Sequence, residues 1–404
     1  MIAIGIDIGK GRHAAAVLDD AGRPLCRPAF YDNNREGAKR LLAALAEVAP
    51  PSQSRVGMEA TGNYWIALHD FLSQAGYQID VINPIVTSAS ISGDVRGRKS
   101  DKGDAVAIAR VMLSGDVAPH PRPAAESRIL VALTRHRSFL VAQRADMKRH
   151  LQSMLDAVFP EFHTLFEDVY SAFAMALLRA HPTADSLARA KRPALAKLVK
   201  AHTRGKDAEA EAERLVKAAK EILGRGSDVA EACADCIVSA VESICDMDGR
   251  IADIEGKIEG RETPELAKSI MQIRGAGKLL PKIIAAEFGD VARFEADPRS
   301  GNREGMYKRM LAFAGCEPRV RESGKWRGRV RMSKRGSGPL RTALMRISFT
   351  ISQNDDFFKS IYDRHVKAGK HHRVALSYVV AELLKVLCSL WNSKRPYTVK
   401  RPAA

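Results

Sequence analysis

At 404 residues, 46% of them hydrophobic, the chain is long enough for two or three globular domains with real cores. Lys and Arg (64) outnumber Asp and Glu (47), giving a formal net charge of +17 and a pI near 9.7. That balance argues for a polyanion as partner, with nucleic acid the first candidate. No apolar run approaches the ~20 residues of a membrane span. Asp7 interrupts the apolar N-terminus where a secretory signal would run on, so a cytosolic protein with no membrane partner is expected. The six cysteines are scattered. Cys233-x-x-Cys236 has neither a second pair nor a nearby His, so zinc is not expected, and the thiols read as reduced and mostly buried.

Residues 1–112 alternate strand and helix patterns. IAIGIDIG, HAAAVLDD and LCRPAFYD read as short strands joined by Gly-containing turns, and 35–48 as a helix with one apolar face. SRVGMEA is a strand, NYWIALHDFLSQAG a helix ending at Gly76, YQIDVINP a strand and KSDKGDAVAIARVML a helix. The order β-β-β-α-β-α-β-α fits a ribonuclease-H-like sheet, a fold whose active site gathers carboxylates from its first strand, its fourth strand and a late helix. Residues 118–123, APHPRP, read as a linker. Long helices are predicted over 124–158 and about 227–260, with shorter ones over 166–220 broken at HPTAD and TRGKD. The two long helices would pair antiparallel or meet a partner subunit. Further on, MQIRGAGKLLPKIIAAEFGD reads as helix, Gly-Ala-Gly turn, helix: a phosphate site at a helix N-terminus or a plain hairpin turn. Closing helices are predicted over 341–367 and 371–391.

Carboxylates stand out in the first part. Asp7 and Glu59 each end an apolar strand, where an unpaired charge is costly. Asp101 and Asp104 sit three apart at the start of an amphipathic helix, so they share a face. Taken singly they read as surface acids, with Lys99 and Lys102 as salt-bridge partners for the helical pair. Together they supply the oxygen-rich setting that Mg²⁺ requires, and two such ions can clamp a phosphate in transfer. The other dense segment is 319–335, where Arg319, Arg321, Lys325, Arg327, Arg329, Arg331, Lys334 and Arg335 crowd around Ser323 and Trp326. The alternation in RVRESGKWRGRVRM suits a β-hairpin with one basic face, neutralised by a nucleic-acid backbone. A serine among guanidiniums is favoured as a nucleophile on phosphorus, yet Ser before Gly is usually a turn residue, and Ser333 and Ser337 compete on the same logic.

IGIDIGK, MEATGNYW and VINPIVTSASISGDVRGRKSDKGDAVAIA together resemble the D-E-D-D transposases of the insertion-sequence-110 group and the related Piv-type DNA invertases. In the second half, IRGAGKLLPKIIAAEFGD and FAGCEPRVRESGKWRGRVRMSKRGSGPLR resemble that family's transposase domain. The resemblance covers nearly all of 1–112 and 268–391; Lys102-Gly103 departs from it, with Gly103 weakening a helix start. It implies a RuvC-like domain over 1–117, a helical or coiled-coil region with an insert over 118–264, and a mainly helical transposase domain over 265–404. It makes Asp7, Glu59, Asp101 and Asp104 ligands of Mg²⁺, with Mn²⁺ as a substitute, and Ser323 the nucleophile. It further implies donor and target DNA as substrates, a structured noncoding guide RNA, a homo-oligomer of the dimer-of-dimers kind, and a bacterial, nucleoid-associated setting. The competing readings are a metal-dependent, structure-selective endonuclease of the Holliday-junction resolvase type, which would not need Ser323, and an actin-like kinase, which would need a second phosphate-loop strand pair.

Overall fold

The structure is a computed structural model that describes residues 1–59, 62–82, 100–114, 125–205, 207–222, 229–295, 305–319, 322–323, 326–327 and 331–398. The predicted linker at 118–123 and the motif stretch 83–99, with Lys99, lie outside these residues, as do Arg321, Lys325 and Arg329. The chain parts into two compact units, 1–124 and 125–404.

The first unit is built on β1 (Ile2–Asp7), β2 (Arg12–Leu18), β3 (Ala29–Asp32), α1 (Arg35–Val48), β4 (Ser54–Glu59), α2 (Trp65–Gln74), β5 (Gln78–Ile82) and α3 (Asp101–Ser114). Its five strands lie in the order β3-β2-β1-β4-β5. The first three run antiparallel, and β4 and β5 add in parallel to β1, which is the predicted ribonuclease-H-like arrangement. The third predicted strand is shorter than LCRPAFYD suggests. Only its last four residues are β3, because Leu25 is held by a lone backbone bond to Val17 beside the Leu18–Pro24 bridge.

Strand alternation sorts the sheet's two faces. Ile4, Ile6, Val56 and Met58 point to one side and pack with Leu41 and Leu45 of α1 and Leu68 and Leu72 of α2. The other face carries small residues, Ala3, Gly5, Ala14, Ala16 and Gly57, and α3 lies on it through Ala105, Ile108, Ala109 and Met112. A Cβ on Gly5 would collide with the carbonyl oxygen of Ala105 and the backbone nitrogen of Ala109. One on Gly57 would lie 2.7 Å from Cγ of Met112. The helix backbone therefore rests directly on Gly5, while the Met112 and Ile108 side chains fill the space over Gly57. Gly103 does not prevent the helix from starting, because Ser100 Oγ accepts the Gly103 N–H at 3.2 Å and so caps its first turn.

The second unit is helical. Its elements are α4 (Ala125–Val158), α5 (Phe162–Leu165), α6 (Ala172–Ala180), α7 (Ala184–Ala188), α8 (Arg192–His202), α9 (Ala208–Glu221), α10 (Ala230–Glu259), α11 (Glu265–Met271), α12 (Leu279–Phe288) and α13 (Gly305–Phe313). The short strands β6 (Pro318–Arg319), β7 (Glu322–Ser323), β8 (Trp326–Arg327) and β9 (Arg331–Met332) follow, then α14 (Gly338–Asn354), α15 (Asp356–Lys367) and α16 (His372–Ser393). The two long helices pair antiparallel within the chain. Arg261 meets Glu126 at 3.2 Å, Arg137 meets Glu255 at 2.6 Å, and Arg144 meets Asp248. At the end of α10 the buried Lys282 Nζ donates to the carbonyls of Ile258, Glu259 and Arg261 at 2.9, 3.0 and 2.9 Å, satisfying carbonyls that a helix end leaves bare.

Three sequence expectations need correction here. The helix predicted over 341–367 is broken at Asp355, whose N–H ends α14 on Ile351 O while its carboxylate caps α15 by accepting from the Phe357 and Phe358 N–H groups. The thiols are not mostly buried: Cys26, Cys236 and Cys245 are exposed and only Cys316 is buried. Cys236 and Cys245 fall off the face of α10 that carries Ile237, Val241 and Ile244 inward. Among the described residues one helix, α16, is long and apolar enough to cross a membrane, more than the sequence reading allowed, and its Val379, Val380, Leu383, Leu384 and Leu387 are buried in the core of the second unit.

Candidate active site

Asp7 and Glu59 are the last residues of β1 and β4. The parallel register pairs Ile6 with Met58, so the two carboxylates leave adjacent strands one position later, on one face. That face is the one α3 covers. Gly5 sets the contact with Ala105, and Asp101 and Asp104 stand in the helical turn just before it. The close glycine contact thus carries the helical pair to the strand ends where Asp7 and Glu59 emerge.

The electrostatics agree. The Asp7 carboxyl is raised from 3.8 to about 6, first by burial and then by the charges of Asp104, Asp101 and Glu59. Among the described residues neither Asp101 nor Asp104 has an ion-pair partner. Lys102, one of the expected partners, instead extends its ammonium over the Phe30 ring at 5.0 Å. Like charges gathered in one field repel one another, and a bound cation would relieve that cost. The donors are all carboxylate oxygens, the chemistry of a hard divalent ion. As placed, no group of three or more His, Cys, Asp or Glu side chains among the described residues closes on one point as a ligand set. A hollow of about 830 Å³ lies by Ile2, Ser54 and Gln78 at the opposite ends of the strands and takes no part.

The cationic segment of the second unit forms nested antiparallel pairs. β6 pairs with β9, Pro318 opposite Met332 and Arg319 opposite Arg331; β7 pairs with β8, Glu322 opposite Arg327 and Ser323 opposite Trp326. Arg319, Arg331, Lys334 and Arg335 are exposed. Ser337 and Ser333 have structural work. Ser337 Oγ donates to the buried Glu287 carboxylate at 2.7 Å and caps α14 by accepting the Leu340 N–H at 3.2 Å. Ser333 Oγ accepts the Arg335 N–H at 3.3 Å in a local turn, with Lys334 in the left-handed region at φ 56°. Ser323 lies on β7, in the inner pair.

Two family profiles match the chain. DEDD_Tnp_IS110, described as a transposase, spans residues 4–160, which take in all four acids; the transposase family IS116/IS110/IS902 spans 267–363, which take in Ser323. The chain belongs to the IS110 family of D-E-D-D transposases. Relatives match almost end to end. A 44.8 kDa uncharacterized protein of insertion element IS116 from Streptomyces clavuligerus is 24% identical over 99% of this chain and 97% of its own. A 42 kDa uncharacterized protein of IS900 from Mycobacterium paratuberculosis is 26% identical over the same shares, 99% and 97%. Among solved structures, Thermus thermophilus RuvC covers 30% of this transposase and 100% of its own chain at 18% identity and TM-score 0.24. RuvC of the same organism in complex with a Holliday junction substrate covers 30% and 99% at 16% identity and TM-score 0.25.

The transposase is thus an enzyme acting on DNA, and the D-E-D-D class brings divalent-metal dependence with it. Sequence reasoning missed what positions the acids. The signal was there: Gly5 and Gly57 interrupt the apolar strands IAIGID and SRVGME two residues before each acid. It also missed Glu287, which accepts from Arg135 Nε at 2.7 Å and Nη2 at 3.0 Å besides Ser337. Glu287 reads as part of a plain apolar helix, and its partners lie too far off in sequence to be paired by eye.

Proposed function

We propose that this transposase cuts and rejoins donor and target DNA through Ser323 as nucleophile, with Mg²⁺ held by Asp7, Glu59, Asp101 and Asp104, under the direction of a structured RNA. The observation that carries the metal half is the raised Asp7 carboxyl, whose named neighbours are the other three acids of the set. When bound, the cation supplies charge stabilisation of the transferring phosphate. Asp7 and Glu59 orient at fixed strand ends, and Asp101 and Asp104 come from a capped helix start, so the ligands are held by regular elements rather than by loops.

For the nucleophile, the support is that Ser323 sits in the inner strand pair of a cation-rich segment. Attack by a serine oxygen on phosphorus forms a phosphoserine bond and releases a strand end as an alcohol. Reversal by a strand-end alcohol restores the serine and the phosphodiester, so bond energy is kept for rejoining. The exposed cations Arg319, Arg331, Lys334 and Arg335 would bind backbone phosphate, leaving sequence choice to base pairing with the RNA. The assembly we favour is a dimer of dimers in the bacterial cytoplasm, since strand exchange joins two duplexes.

The test is cleavage of DNA carrying the element's ends, in Mg²⁺, with the copurifying RNA present or removed by ribonuclease. Loss of cleavage on RNA removal and on Asp7→Ala or Glu59→Ala supports the reading. Cleavage that survives RNA removal but needs the acids favours a resolvase-type endonuclease. Cleavage that survives loss of either acid removes the metal assignment.

A further inference from the structure

The second unit carries a surface, formed by α14, α15 and α16, that none of the above uses. Between Asp356 and Tyr378 the sequence has five Lys or Arg and three His against two Asp. Among the described residues, Arg364, Lys367, Lys370 and Arg373 have no ion-pair partner. Unpaired cations at such density repel one another until an anion arrives.

The same region exposes aromatic rings where a soluble surface has little reason to. Phe349 of α14 is 47% exposed and Tyr378 of α16 is 41% exposed. They stand in ordered stacks. His365 lies against Tyr378 with ring centroids 3.8 Å apart and planes 15° from parallel. His372 is held between Phe349 and Tyr362, each 5.9 Å away and edge-on, and its Nδ1 hydrogen-bonds Tyr362 OH at 2.8 Å. Val366 and Val374 extend the apolar area. His365 is held below its ordinary value by burial and then by Arg364 and Lys370, so it stacks as a neutral ring in a positive field.

Partly exposed rings held in place, rimmed by cations without carboxylate partners and with Lys370 also 5.6 Å over the Tyr378 ring, match the two parts of an unpaired nucleotide. Bases stack on the rings and phosphates meet the cations. A duplex hides its base faces and would use only the cations. A protein partner would not call for so one-sided a charge. We propose that this aromatic, cationic region formed by α14, α15 and α16 is a docking surface for an unpaired DNA strand, of the kind strand exchange must expose. It rests on DNA as the substrate and not on RNA guidance or on Ser323.

The test uses the full-length protein and a single-stranded DNA of about 12 nucleotides carrying 5-iodouracil, a length within the usual site size for such surfaces. Irradiation and peptide mapping should place adducts on Phe349, Tyr362 or Tyr378. Phe349→Ala with Tyr378→Ala should weaken single-strand binding about tenfold and leave binding of the same sequence as a duplex nearly unchanged. Tyr378→Phe, which keeps the ring, should bind as the parent does. Lys367→Ala with Lys370→Ala and Arg373→Ala should weaken both forms and flatten the salt dependence. The proposal is overturned if adducts fall only outside residues 349–378, if the ring variants weaken duplex and single strand equally, or if RNA of the same sequence binds this surface more tightly than DNA.

Discussion

Gly5 of β1 lies against the backbone of Ala105 in α3 with no room for a single carbon between them. That contact fixes how far α3 stands from the sheet, and with it how far Asp104 stands from Asp7. Gly5→Ala must push the helix outward, because the colliding atoms are backbone and cannot rotate away. Overpacking of this kind costs about 1–3 kcal/mol. The expected result is a folded, less stable protein that has lost metal-dependent cleavage. Gly57→Ala meets the Met112 and Ile108 side chains instead of backbone, and the Met112 chain is flexible, so it should be milder in both respects. Denaturant melts and cleavage rates on the two variants check the difference; equal effects would mean the spacing is not what matters.

The Asp7 carboxyl makes a pH prediction for the metal-free protein. Its folded value, about 6, lies above its unfolded value of 3.8, so the folded state binds the proton more tightly. Its ionisation therefore costs stability above about pH 6, and that cost fades as pH falls toward about 4. Asp7→Asn should stabilise the metal-free protein at pH 7.5 by about 1 kcal/mol, after allowance for its half-exposed setting, and by nearly nothing at pH 4. Mg²⁺ should raise the parent's Tm more at pH 7.5 than at pH 5, and the variant's hardly at all. Thermal melts across that range decide it.

Glu287 ties three elements together, with Arg135 from α4 and Ser337 at the start of α14 on one buried carboxylate. Ser337→Ala removes both a helix cap and a bond to a charged group, about 2–3 kcal/mol together. It should unfold at lower denaturant and still form the covalent intermediate. A stable Ser337→Ala protein without that intermediate would move the chemistry to Ser337.

Arg319 and Arg331 face each other across β6 and β9, and like charges in that position destabilise the pair. Arg319→Ala should leave the free protein as stable as before or slightly more so. The same change should weaken DNA binding and lower the salt slope by about 1, the loss of one phosphate contact. Titrations at several salt concentrations measure both.

Much of this was readable in the chain. Strand alternation and the helix at 35–48 carry local signals, and the structure places α1 at Arg35–Val48. Asp7 and Glu59 stood out because a charge ending an apolar strand is anomalous by itself. Convergence was less legible, since it depends on Gly5 and Gly57, whose meaning appears only once α3 lies on them. The break at Asp355 was missed because the apolar period runs on through it, and the decisive event is one carboxylate turning to cap the next helix. The aromatic region was missed for a related reason: Phe349 and Tyr378 continue the pattern of core-facing helices and differ only in what fails to cover them.

The most direct test of the central claim is to trap the reaction on a nicked DNA substrate that cannot be rejoined and to map the protein–DNA bond. Hydrolysis by a metal centre alone leaves no such bond, whereas a serine nucleophile must. The account predicts a covalent adduct on Ser323, absent from Ser323→Ala, which still binds DNA, and retained in Ser333→Ala and Ser337→Ala. An adduct on Ser333 or Ser337, or cleavage at the parent's rate with no adduct in any variant, would contradict it.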